Sequence, residues 1–276
     1  MIVDKQWRIL TVGDGDLSFS LSLAKHLKPA YLCASVYDSE TTLKQKYRHN
    51  AFDALRALNI EVLTGFDVTQ PSSWQQLGTQ RFDAVIFQFP LLPGFASHAE
   101  FQQQALTINT LNRRLLRLFL LNSTHYALDP DGQQLSIITS KDVKPYLEWN
   151  IEGSLTQDTT QHYLGQSAFD IHQFPEYKIR NVDRDKHVKD TSGISYYWSP
   201  LALHPLRQQL HQPPYLEDGF CTICRAGPFL TDKDREAHFG AKKHRTMAAH
   251  EQAWQDYLQD KSPLCSRISK DNKLKY

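Results

Sequence analysis

The sequence has no long apolar run, few cysteines and almost no net charge. Its longest apolar stretch, residues 115–121, is short and is broken by Arg117, so no segment reads as a bilayer span. The start, MIVDKQWRIL, lacks the basic-then-apolar pattern of a secretion signal and runs directly into a strand-like segment. Four cysteines do not form a disulfide framework: Cys221 and Cys224 are spaced as a metal pair, Cys33 sits in a strand and Cys265 in a polar tail. These absences point to a reducing, cytoplasmic setting. A net charge of +1 gives no global field that would draw in nucleic acid, so any such binding must use local patches. Internal repeats and low-complexity tracts are also absent.

What remains is a chain of 276 residues with 41% hydrophobic content, enough for one large α/β domain and a small module. Strand-like and helix-like segments alternate. Strands are predicted over residues 8–12, 31–37, 60–64, 82–89 and 134–139, and helices over 18–27, 41–58, 101–127 and 145–155. The near-continuous apolar run at 82–89 fits a parallel strand buried on both faces. Two last strands, 166–174 and 193–198, read as an antiparallel pair. The result is an α/β three-layer sandwich around a mostly parallel, seven-stranded sheet. Residues 1–205 form this domain, the proline-interrupted 206–219 a linker, and 220–276 a separate unit.

The run ILTVGDGDLSFSLSLA, residues 9–24, joins a strand to a helix through a glycine-bearing acidic loop. Gly13 and Gly15 either let a ligand approach bare backbone or simply close a tight turn. The third glycine of a dinucleotide fingerprint is missing. Asp14 and Asp16 would repel a pyrophosphate. They suit a phosphate-free cofactor with a cationic amino-acid tail, which S-adenosylmethionine offers. Asp38, at the end of the second strand, is placed either to accept ribose hydroxyls or to cap the next helix. Asp67, in GFDVTQP, is placed either near an adenine amine or as a turn former before Pro71. The fourth strand leaves the sheet at Gln88, Phe89 and Pro90. Gln88 offers a donor and an acceptor to a nucleobase edge, Phe89 a stacking face and Pro90 a rigid exit; a buried strand end reads equally from the same residues.

The N-terminal run, the turn at 88–90, SKDVKPYLEWNI (140–151) and FPEYKIRNVDRDK (174–186) together resemble the Rossmann-like domain of the ribosomal RNA uridine-N3 methyltransferase family. The resemblance covers residues 8–198. It implies a class I fold that binds S-adenosylmethionine and methylates a ring nitrogen of uridine in ribosomal RNA. Gly13, Asp14 and Gly15 would form the cofactor loop, Asp38 would hold the ribose, and Asp67 would sit near the adenine. Gln88, Phe89 and Pro90 match the family's Asn-Phe-Pro, with Gln88 one methylene longer; Asp14 stands where glutamate is common. Lys141 and Asp142, after the fifth strand, are candidates to act on the uridine N3 proton or are solvated loop charges.

Cys221, Cys224, His238 and His244 follow Cys-x2-Cys-x13-His-x5-His, a spacing of tetrahedral zinc sites. Thr231 with Asp234 forms a capping box ahead of the histidines. Histidines six residues apart fall on different faces of a regular helix, so the helix must distort, most easily at Gly240. HFGAKKH resembles matrin-type and spliceosomal zinc fingers of ββα type, many of which contact RNA. Lys242, Lys243 and Arg245 can neutralise phosphates or form a solvated face; Lys270, Lys273 and Lys275 make the tail basic. The expected function is an RNA base methyltransferase with a zinc-finger clamp. The alternatives are a non-catalytic RNA-binding protein and a zinc-finger adaptor.

Overall fold

A computed structural model describes residues 1–92, 99, 103–181, 184–187 and 192–260. Pro93, Gly94, Cys265, Lys270, Lys273 and Lys275, and the expected helix start at Phe101, lie outside these residues. The sheet has seven strands: β1 (Arg8–Val12), β2 (Tyr31–Ser35), β3 (Glu61–Leu63), β4 (Ala84–Gln88), β5 (Leu135–Lys141), β6 (His162–Phe169) and, last in chain order, β9 (Gly193–Ser199). They lie in the order β3-β2-β1-β4-β5-β9-β6. β1 to β5 pair in parallel and β9 inserts antiparallel between β5 and β6. Two short strands, β7 (Arg180–Asn181) and β8 (Arg184–His187), pair separately and are not legible in the sequence. This is the three-layer α/β sandwich around a mostly parallel, seven-stranded sheet expected from the sequence.

Alternation along the central strands sends side chains to two cores. Leu10, Val12, Val85, Phe87 and Ile138 point to one face and pack with Phe119 and Trp149. Ile9, Ala84, Ile86 and Ile137 point to the other and meet Phe19 and Leu23. Burial on both faces explains why β4 reads as a near-continuous apolar run. Phe19 belongs to α1 (Ser18–Ser22) and Leu23 opens the wider turn, Leu23–Leu27, that follows it and closes with Lys28 N–H donating to Leu23 O at 2.9 Å.

Several boundaries differ from the sequence reading, each for a local reason. The single helix expected over 41–58 is two, α2 (Glu40–Lys46) and α3 (Phe52–Ala57). Tyr47 turns into the core between them, and Asn50 bridges the break by donating to Tyr47 O and accepting from Phe52 N–H. After α4 (Pro71–Trp74), the long helix α5 (Ile108–Asn122) starts later than expected because Thr107 caps it, accepting from Thr110 N–H at 3.1 Å. The helix expected at 145–155 is a 3-10 turn (Tyr146–Trp149) and α6 (Ile151–Ser154), split by Asn150 at φ 44°. β6 begins earlier than 166 and ends at Phe169, where Asp170 accepts from His172 N–H and turns the chain.

Residues 206–219 do more than link. Leu206 and Leu210 are buried against the sheet, and His211 exchanges two backbone hydrogen bonds with Gln166 of β6. The exposed edge of the sheet is thereby covered. The expected strand pair of the finger is reduced to one bridge, Cys221 with Ala226. Its helix is broken between the histidines into α7 (Asp232–Gly240) and α8 (Lys242–Gln259), with Ala241 extended at ψ 148°.

The C-terminal unit is docked on the sandwich rather than free of it. Trp254 of α8 is fully buried, and its indole N–H donates to Ser154 O at 3.0 Å. Arg113 of α5, also fully buried, pairs with Glu251 at 2.8 Å and donates to Glu148 O. Replacing Trp254 by alanine removes a large buried ring and should cost about 3–5 kcal/mol. Urea unfolding of the variant should show that loss; a midpoint equal to the native chain's would mean the docking contributes nothing.

Candidate active site and metal cluster

The loop after β1 is shaped by backbone constraints. Gly13 sits at φ +61°, and a Cβ there would lie 2.5 Å from Phe87 Cε2. Only glycine meets both conditions. At Gly15 a Cβ would lie 3.3 Å from Tyr47 Oη. Asp14 N–H donates to Ser35 O, tying the loop to β2.

The two loop carboxylates organise this turn. Asp14 Oδ2 accepts from Ser20 N–H at 2.7 Å and Ser20 Oγ at 2.6 Å, holding the first turn of α1. Asp16 accepts from Ser18 N–H and pairs with Arg180 Nε at 2.5 Å. Burial, reinforced by the Asp16 charge, pushes the Asp14 carboxyl up to about 7 against the downward pull of the Ser20 hydrogen bonds. At neutral pH Asp14 therefore carries much less charge than its residue type implies.

One cavity of about 420 Å³ lies outside the C-terminal ends of the strands, where open α/β sheets place ligands. The structure brings Gly13, Asp14, Gly15, Asp38, Asp67, Gln88, Phe89 and Pro90 onto its wall. Asp38 Oδ2 accepts from Lys46 Nζ at 3.2 Å. Asp67 Oδ1 accepts from Thr69 N–H at 2.8 Å and Oγ1 at 2.7 Å, so it forms the turn and faces the cavity at once. Gln88 is buried; its Nε2 lies 3.7 Å from Met1 Sδ and its Oε1 has no hydrogen-bond partner. An orphan acceptor of this kind is costly unless something else satisfies it. Phe89 is held at φ 46°, with its N–H donating to Thr139 O and its ring edge-on to Phe169. Left-handed backbone at a non-glycine residue is strain of the sort found at functional sites.

Lys46, Tyr47, Arg114, Tyr177, Lys178 and Arg180 also line the cavity and were not singled out from sequence. The segment 174–186 carried the resemblance, but nothing local in it says that Tyr177 to Arg180 face the loop after β1. Lys141 and Asp142 do not line the cavity. Lys141 is half-buried over the Tyr146 ring, and desolvation lowers its pKa. Asp142 instead faces Arg225 of the C-terminal unit at 3.9 Å.

That unit gathers Cys221, Cys224, His238 and His244, with ligand atoms all within 4.8 Å of one another. Both cysteine Sγ atoms lie 3.5 Å from His244 Nδ1. His238 Nε2 is buried without a hydrogen-bond partner. Two free thiols and two imidazoles converging on one point, one of them orphaned, fit a tetrahedral metal ion.

The BMT5-like family, described as rRNA (uridine-N3-)-methyltransferase BTM5-like, matches residues 10–181. The chain belongs to this family. The match runs from β1 to β7 and so includes the whole loop after β1, Asp38, Asp67 and the turn at 88–90; the Cys/His cluster lies outside it. Two Arabidopsis thaliana proteins are similar. One is named heavy metal-associated isoprenylated plant protein 41, 30% identical over 180 residues, covering 64% of this chain and 33% of that protein. The other is uncharacterized, 31% identical over 177 residues, covering 62% of this chain and 79% of that protein. The chain thus spans about a third of the length of the first.

Among solved structures, a cyclopropane-fatty-acyl-phospholipid synthase-like protein from Lactobacillus casei aligns with TM-score 0.45 and 12% identity, over 71% of this chain and 85% of that one. A tRNA methyltransferase from B. subtilis aligns with TM-score 0.41 and 10% identity, over 98% and 89%. These likenesses say nothing about substrate.

The Asp14 environment sets a pH dependence. The folded state holds this proton more tightly than the unfolded chain, whose carboxyl has the ordinary value of 3.8. Stability from protonated Asp14 is therefore present at low pH and lost as pH rises from about 4 to about 7. The Asp14→Asn variant keeps an acceptor for Ser20 without the titration. Denaturant midpoints of native chain and variant should diverge across that window in the variant's favour and run parallel above it. Parallel curves throughout would disprove the assignment.

Proposed function

We propose that the chain is an S-adenosylmethionine-dependent methyltransferase acting on N3 of a uridine in ribosomal RNA, with a zinc finger that adds RNA affinity. The observation that carries this reading is the convergence of residues 13–15, Asp38, Asp67 and 88–90 on one cavity in a member of this family.

When bound, S-adenosylmethionine supplies an electrophilic methyl group on a sulfonium, so the protein's task is alignment. Residues 13–15 present bare backbone to the cofactor. Asp38, at the end of β2, accepts hydrogen bonds from ribose hydroxyls, with Lys46 holding its other side. Asp67 stands beside the adenine. Gln88 Nε2 donates to a uracil ring carbonyl beside N3, which leaves N3 open to the methyl group, and the N3 proton departs to water as the N–C bond forms. Phe89 stacks on the base. Pro90 fixes where the chain leaves the sheet.

Cys221, Cys224, His238 and His244 hold a structural zinc ion. With all four ligands supplied by protein, such an ion would have a structural role and no open position for substrate. Lys242, Lys243 and Arg245, beside His244, meet phosphates.

Three measurements test the reading. Calorimetry should show saturable S-adenosylhomocysteine binding, weakened about tenfold or more in Asp38→Ala through loss of charged hydrogen bonds. Gln88→Ala should bind the same ligand normally yet turn over at least about tenfold more slowly. Mass spectrometry of ribosomal RNA nucleosides from cells lacking the gene should show loss of N3-methyluridine. An unchanged nucleoside profile together with no cofactor binding would overturn the proposal in favour of a non-catalytic role.

A further inference from the structure

The metal cluster and the substrate edge of the sheet are joined by one side chain. Arg225 directly follows the ligand Cys224 and sits at φ 52°. Its guanidinium leaves the finger and enters the sandwich, where it meets Glu152 at 2.8 Å and Tyr196 Oη at 3.3 Å. Tyr215 closes over it, ring centroid 5.2 Å away, and donates its own hydroxyl to Glu152 at 2.6 Å. The Glu152 side chain is 1% exposed and that of Arg225 14%. A buried pair of this kind is costly to break by removing one partner, because the other charge is stranded.

The same guanidinium faces Asp142 at 3.9 Å. Asp142 follows Lys141, which pairs with Gly193 across β5 and β9. A Cβ at Gly193 would touch the Phe89 ring at 3.1 Å. Arg225 is therefore connected, contact by contact, to the backbone against which Phe89 rests.

The other half of the metal cluster is anchored to the same place. His244 opens α8, and α8 carries Glu251 and Trp254. Glu251 accepts from Asn150 Nδ2 at 3.1 Å, and the Trp254 indole N–H donates to Ser154 O. The cysteine side and the histidine side of the site thus both hold residues 150–154, one through Arg225 and one through α8.

We propose that the metal closes a clasp, and that Arg225 is a positioning residue through which metal occupancy sets the β5 exit loop and the Phe89 edge of the crevice. This rests on the zinc reading above and adds that the finger is coupled to the reaction site rather than tethered beside it. Coupling of this kind is reciprocal: if zinc orders the loop, a docked Arg225 must tighten zinc by the same factor.

The test uses the full chain and zinc ion alone as the probe. Zinc content should be one per chain for the native protein and, in excess zinc, for Arg225→Met. Removing zinc from the native protein with a chelator should lower hydrogen-exchange protection over residues 141–155 about tenfold, and readdition should restore it. In Arg225→Met that protection should already be reduced and respond little to zinc, while competition with a chromophoric chelator shows zinc bound about tenfold more weakly. The variant's S-adenosylhomocysteine affinity should be unchanged, with turnover on RNA lowered. Full protection of 141–155 in the zinc-free native chain overturns the clasp while leaving the zinc site intact. Absence of bound zinc overturns both.

Discussion

The turn after β1 is the constraint on which the rest of the molecule depends. Gly13 must adopt a left-handed backbone with the Phe87 ring against it, so no side chain fits where β1 leaves the sheet beside β4. Asp14 then holds Ser20, and Ser20 hydrogen-bonds Thr11 at 2.7 Å, which orients α1 on the sheet. Asp16 reaches Arg180, far along the chain, and closes the far wall of the crevice. The loop that reads as a cofactor cradle is thus also the joint between sheet, helix and wall. Its acidic residues work largely for the protein itself.

That double use changes how acidity in the cavity is understood. Of the carboxylates on its wall, Asp16 is spent on Arg180, Asp38 shares Lys46, and Asp14 is driven towards neutrality by burial. The field felt by a ligand is much weaker than four aspartates in a row of loops would imply. Specificity in such a site comes from directed hydrogen bonds and shape more than from net charge, consistent with a chain whose overall charge is only +1.

The C-terminal unit extends the same logic. Its helix breaks at Ala241, and the two histidines meet the two cysteines. Arg225 and Trp254 then carry the finger into the sandwich. An isolated tethered module would leave Arg225, Tyr215 and Trp254 solvated; here all three face protein.

The sequence by itself determined the elements whose signal is local. β1, its glycine loop and α1 follow from a short apolar run, a GxG turn and i, i+4 spacing; β4 follows from burial on both faces; the Cys/His cluster follows from spacing alone. The gathering of the eight candidate residues was also legible, because parallel strands deliver their C-terminal ends to one side of a sheet. Only the tertiary structure decided the break at Tyr47, whose ring is wanted beneath Gly15, and the late start of α5 at the Thr107 cap. It alone placed Lys46 on Asp38, Arg180 on Asp16 and Arg225 on Glu152. Each of these contacts joins residues whose partner is chosen by packing, and a side chain's composition does not say which distant charge will lie within its reach.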